Sequence, residues 1–126
     1  MPETQVRFYC DDDGSAPVLQ WLDDLAERDR RAYLKCRELI GRLAQFGHEL
    51  RRPSADLLSD GIYELRARVG RLNYRVLYFF HGRDIAVLAH AMTKEREVPK
   101  ADLLRAINRK VRFEADPDCH TYQQST

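Results

Sequence analysis

Ile62-Tyr63-Glu64-Leu65-Arg66-Ala67-Arg68-Val69-Gly70-Arg71-Leu72-Asn73-Tyr74-Arg75-Val76-Leu77-Tyr78-Phe79-Phe80 is the stretch that decides the fold. Apolar or aromatic side chains alternate with polar ones, the period-2 pattern of half-buried strands. Gly70-Arg71 places glycine first, the signature of a two-residue type II′ turn. The stretch therefore reads as a hairpin with strands over about 62–68 and 72–80, Val69 facing Leu72. A third strand, about 84–92, follows Gly82-Arg83. Read as a second two-residue turn, that pair sets His81 opposite Asp84.

Side chains alternate faces along a strand, so the register sorts them. One face collects Tyr63, Leu65 and Ala67, then Tyr74, Val76 and Tyr78, then Val87, Ala89 and Ala91, an apolar set suited to covering helices. The other face collects Leu77, Phe79, Ala86 and Leu88 in an apolar half, and Glu64, Arg66, Arg68, Asn73, Arg75 and His90 in a polar half. In this register Arg66 lies opposite Arg75, and Arg75 opposite His90. Like charges directly opposite each other destabilise a sheet. A bound anion, pairing with Glu64 and surface acids, or a one-residue slip of register would each relieve the row. Lys94 and Arg96 follow the last strand and can frame the same concavity.

Outward from the hairpins, Val6-Arg7-Phe8-Tyr9-Cys10 alternates as a short strand. Asp11-Asp12-Asp13-Gly14 reads as a turn, with Ser15 placed to cap a helix opening near Ala16-Pro17. A second helix, about Arg28 to Phe46, has apolar positions at i, i+3, i+4 spacing and ends at Gly47. Residues 47–61 read as a loop, and Pro99 opens a last helix to about Val111. The order β-α-α-β-β-β-α predicts an α+β fold: an antiparallel sheet, made of an N-terminal strand plus a three-stranded meander, with a helical hairpin on one face and a C-terminal helix. Residues 1–112 form the expected single domain, and 113–126 an acidic, mobile tail. Trp21 is expected in the core, and His48 and His81 at the surface.

The 126 residues, 44% hydrophobic and 33% charged, suit one soluble globular domain. No apolar run reaches the ~20 residues of a membrane helix, and the first residues lack a signal-peptide pattern, so the expected location is the cytoplasm without membrane contact. The formal net charge of +1 argues against a polyanion partner. Its distribution argues the other way. Residues 1–27 hold one base and seven acids, residues 28–112 twenty bases and ten acids, and residues 113–126 three acids and no base. Arginine outnumbers lysine in the basic middle, which favours bidentate phosphate contacts. Three widely spaced cysteines, Cys10, Cys36 and Cys119, predict no structural disulfide. The four histidines lack the close spacing of zinc sites, so no metal or other cofactor is expected.

Ile62-Tyr63-Glu64-Leu65-Arg66-Ala67-Arg68, Asn73-Tyr74-Arg75-Val76-Leu77-Tyr78-Phe79, Leu88-Ala89-His90-Ala91-Met92-Thr93-Lys94-Glu95-Arg96 and Val98-Pro99 together resemble the RelE/ParE superfamily of type II toxins. The resemblance is closest to its phage-derived, HigB-like branch, with the pattern Y/W-E-L-R … Y-R-V-x-Y/F … H-G/A-x-x-K … P. It covers about residues 4–112. It implies a RelE-like fold and the toxin of a toxin–antitoxin pair: a metal-independent, ribosome-dependent endoribonuclease (mRNA interferase) that inhibits translation. The implied partners are a helix-turn-helix antitoxin, mRNA on the ribosome, and operator DNA only through the antitoxin. Carried over by residue, Arg66, Arg75 and Lys94 match the family's basic positions. Lys94 or His90 would carry the proton, His90 because its ordinary pKa suits that task near neutrality. Arg68, Asn73 and Arg96 are the expected RNA contacts. The chain departs from the family where a Lys-Lys pair is common, having Thr93-Lys94 and Lys94-Glu95 instead, and its tail runs past the usual end. Two other readings share these residues: a ParE-like gyrase inhibitor without nuclease activity, and a catalytically silent nucleic-acid-binding or operon-control homologue.

Overall fold

The hairpin at Gly70-Arg71 forms as the alternation requires. In the computed structural model, which describes residues 3–94 (of Lys94 the backbone alone) and 97–123, strands β3 (Ile62–Val69) and β4 (Leu72–His81) pair antiparallel, with Val69 opposite Leu72 and Arg66 opposite Arg75. Gly70 takes φ +63°, the positive value that the first position of a type II′ turn needs.

The second hairpin differs from expectation. Strand β5 (Ile85–Lys94) begins with Ile85 opposite His81, so the loop is three residues, Gly82-Arg83-Asp84. Further along, Tyr78 lies opposite Leu88 but Leu77 opposite His90, which leaves Ala89 as an extra, bulged residue. The shift at the loop reverses the faces of β5 as far as Ala89, and the bulge restores them beyond it. Ala86 and Leu88 turn to the helical hairpin, and Val87 and Ala89 to the other side. Arg75 consequently faces Met92, not His90. The row Arg66–Arg75–His90 expected from the sequence does not form.

The sheet has five strands, in the order β1-β5-β4-β3-β2, where β1 is Gln5–Phe8 and β2 is Ala55–Ser59. It is mixed, because β1 runs parallel to β5, with Gln5 opposite Ile85. Strand β2 lies inside the expected loop 47–61, after a single 3-10 turn at Gly47–Glu49. Asp60-Gly61 joins it to β3, both residues at positive φ (53° and 77°), as a type I′ turn requires.

Helices α1 (Pro17–Arg28) and α2 (Arg30–Phe46) form the expected hairpin over one sheet face. Asp29 separates them, and its side chain caps α2 by accepting from Ala32 N at 3.1 Å. Ser15 does not cap α1; its N–H and hydroxyl both donate to Asp13 Oδ1. The core under this hairpin joins Val18, Leu22, Cys36, Leu39 and Leu43 to Leu65, Tyr74, Val76, Tyr78 and Leu88, with Trp21 packed at its margin.

Helix α3 (Lys100–Ala115) covers the apolar half of the other face. Ala106 and Phe113 bury against Ile62, Leu77, Phe79, Val87 and Met92. Phe113 is fully buried, edge-on to Phe79 at 5.5 Å and to His81 at 5.1 Å. The domain therefore does not stop at residue 112. Residues 116–122, expected to be mobile, are tied to β1 and the chain after it. Tyr9 and Thr121 form an antiparallel bridge, Cys10 N donates to His120 O, and Tyr122 N donates to Phe8 O. His120 is buried and stacks on Tyr9 at 5.2 Å.

Candidate functional site

In the polar half of the sheet face that carries α3, Glu64, Asn73 and Arg75 are buried, and Arg66 and Arg68 are exposed. Glu64, Arg66 and Arg68 project there from β3, and Asn73 and Arg75 from β4. Strand β2 ends its pairing at Ala55 opposite Leu65, and Ser54 O accepts from Arg66 N just beyond. The β3 backbone past Arg66 is therefore a strand edge.

Glu64 governs the electrostatics of this end. Its carboxylate is 4% exposed and accepts from Arg75 Nη1 at 2.6 Å, while Arg66 Nη1 stands 3.9 Å from its other oxygen. One buried acid thus relieves the two facing arginines, the second of the arrangements the sequence left open. The arginines differ in reach. The Arg75 side chain is 6% exposed and held in the sheet, whereas that of Arg66 is 40% exposed. Arg66 lines depressions on both sides of it. One, of about 370 Å³, includes Glu64, Arg75, Val98 and Leu103. The other, of about 490 Å³, is a groove between α2 and the sheet edge, lined by Lys35, Glu38 and Arg42, by Pro53 and Ser54, and by Arg66, Arg68 and Asn73.

The structure therefore brings together Arg66, Arg68, Asn73 and Arg75. Lys94 joins them by its backbone, since it lies opposite Asn73. Its side chain and all of Arg96 lie outside the described residues. Lys35 and Arg42 were not legible as site residues. Their i, i+7 spacing puts both on one stripe of α2, but nothing in the sequence says which strand that stripe meets.

His90 is not brought to this groove. The Ala89 bulge turns it under α3, where it is 7% exposed. Arg109 Nη1 donates to the Ala89 carbonyl at 2.8 Å and to His90 Nδ1 at 3.2 Å. Nδ1 is thereby the acceptor, and Nε2–H donates to Asp102 Oδ1 at 2.7 Å. Burial pushes the His90 pKa down, only partly opposed by Asp102. Both ring nitrogens are thus engaged beneath α3, away from the groove's lining residues.

A search of curated proteins found none that matches the chain. The sequence pattern of the family described as Phage derived protein Gp49-like (DUF891) matches residues 20–111, a span running from α1 to the last turns of α3 and including every residue that lines the groove. The chain accordingly belongs to the phage-derived Gp49-like family of toxin-like, RelE/HigB-type proteins.

Proposed function

We propose that the protein is the toxin of a type II toxin–antitoxin pair and cleaves mRNA on the ribosome without a metal, with the α2–β3 groove as its RNA site. The observation that carries this reading is the pairing of a half-exposed Arg66 with a buried Glu64–Arg75 ion pair, at the mouth of a groove that also presents Lys35, Arg42 and Arg68. Cleavage at a 2′-hydroxyl needs that hydroxyl activated, the phosphorane charge stabilised and the leaving 5′-oxygen protonated. Arg66 supplies the charge stabilisation. Arg75 acts behind it, fixing Glu64 and so the place where Arg66 rests. Lys94 is assigned the proton transfer, Arg68 and Asn73 the flanking nucleotides. His90 has no part in the chemistry.

The Arg66 side chain is 40% exposed and Glu64 keeps Arg75 as its closer partner, so truncating Arg66 spares the fold and tests the site directly. Arg66→Ala lowers cleavage by about a hundredfold or more, the scale of losing one transition-state charge contact. Induced in a bacterial host, the parent arrests growth and gives codon-linked cuts by primer extension, and Arg66→Ala with Arg68→Ala gives neither. A double variant as toxic as the parent overturns the site. Arrest with DNA damage and no mRNA cuts overturns the nuclease reading in favour of a gyrase inhibitor.

A further inference from the structure

Three electron-rich side-chain atoms converge where the C-terminal segment meets the loop after β1. They are Asp12 Oδ1, Cys119 Sγ and His120 Nε2, all within 4.8 Å of one another. Oδ1 lies 3.6 Å from Nε2 and 4.0 Å from Sγ.

The orientation of His120 gives the cluster its meaning. The ring is 94% buried, 6% remaining exposed, and is stacked on Tyr9, so it does not swing freely. Its Nδ1 lies 2.8 Å from the Cys10 carbonyl oxygen. A carbonyl cannot donate, so Nδ1 carries the hydrogen. Nε2 is turned toward the Asp12 carboxylate, and the Cys119 thiol donates to that same carboxylate at 4.0 Å. A cation that displaced the thiol proton would have all three ligand atoms around it. Ligands at 2.0–2.3 Å around a tetrahedral ion stand about 3.3–3.7 Å apart; the Asp12–His120 spacing of 3.6 Å falls in that range, and the Asp12–Cys119 spacing of 4.0 Å lies a little beyond it. A histidine whose other nitrogen donates to a backbone carbonyl is also the usual posture of a metal ligand.

We propose that Asp12, Cys119 and His120 bind one divalent transition-metal ion of the Zn²⁺ class, as thiolate, imidazole and carboxylate ligands with water in the fourth position. Thiolate with imidazole selects such an ion over Mg²⁺ or Ca²⁺. Asp12 and Cys119 are exposed, so the ion enters from solvent. The sequence offered no such site because residue 12 and residues 119–120 meet only through the docking of the C-terminal segment. Strand β1, which precedes this loop, lies three strand spacings from β3, about 14 Å. The ion therefore clamps the fold and is separate from the RNA groove.

Co²⁺ titrated into the reduced, full-length protein is the test. The expected result is one equivalent bound, a thiolate-to-cobalt charge-transfer band, and displacement by Zn²⁺. Cys119→Ser abolishes the band, and Asp12→Asn weakens binding about tenfold or more. Both residues are exposed, so these variants fold, which circular dichroism verifies; the buried His120 is left in place. Zn²⁺ also raises the Tm of the parent and not of Cys119→Ser. No band at stoichiometric Co²⁺ overturns the site and leaves a plain Asp12–His120 ion pair. The same band in Cys119→Ser overturns it by assigning the metal to another cysteine.

Discussion

Glu64 stands where two arginines would otherwise repel each other across adjacent strands. Removing one partner of a buried ion pair leaves an uncompensated charge, whereas replacing both with apolar groups does not. Arg75→Ala is therefore expected to cost about 3–5 kcal/mol in urea unfolding. Glu64→Leu with Arg75→Met is expected to cost much less, even though it changes more atoms. Equal losses in the two proteins would contradict the assignment of Arg75 to Glu64. Residue identity alone came close to this arrangement, because Tyr63-Glu64-Leu65-Arg66 puts acid and base on one face at i, i+2. It failed at His90. That side chain changes neighbours through one extra loop residue and one bulged alanine, and neither has a marked composition.

At the scale of elements, the turns decide most. Gly70-Arg71 fixed its register without ambiguity, whereas Gly82-Arg83-Asp84 admits loops of two or three residues, and each choice turns the next strand over. The missed strand β2 had a readable signal in Asp60-Gly61, the composition of a type I′ turn. Its hydrophobic pattern was weak because Leu57 is an exposed edge residue and Leu58 sits in a bulge, facing the other way. Gly47 shows how tightly two elements can meet. It ends α2 at φ 53° and ψ −124°, and a Cβ there would stand 2.2 Å from Thr4 Oγ1 at the approach to β1. Gly47→Ala is expected to lose about 1–3 kcal/mol by chemical denaturation, the cost of a backbone region all but reserved for glycine. Adding Thr4→Ala removes the clash and not the backbone strain, so recovery is partial. Full recovery would show that sterics alone act there.

Over the whole molecule, opposite charges are sorted by place. Asp11, Asp12 and Asp13 line a depression with Arg105, Arg109 and Arg112 of α3, so part of the basic excess is met by the acidic N-terminal region. Among the described residues, the groove at the opposite sheet edge sets Lys35, Arg42, Arg66 and Arg68 against the lining acid Glu38, with Glu64 beside Arg66. A near-zero total charge is thus compatible with one strongly basic surface. The C-terminal segment shares this global role, since it closes the β1 side of the sheet. Ending the chain after Ala115 removes the Thr121 bridge and the His120 stack. In metal-free buffer the truncated protein is expected to unfold several-fold faster while its folding rate changes little, because contacts between the chain ends form late. A matching slowdown in refolding would place the segment in the nucleus instead. The parallel pairing of β1 with β5 carries a consequence for synthesis. Gln5 is made well before its sheet neighbour Ile85, and the next bridge, from Tyr9, awaits Thr121. Closing loops of that length is the slow, entropically costly part of assembly. Strand β1 is thus made before the strand it pairs with, and the five-stranded sheet cannot close until β5 has been synthesised.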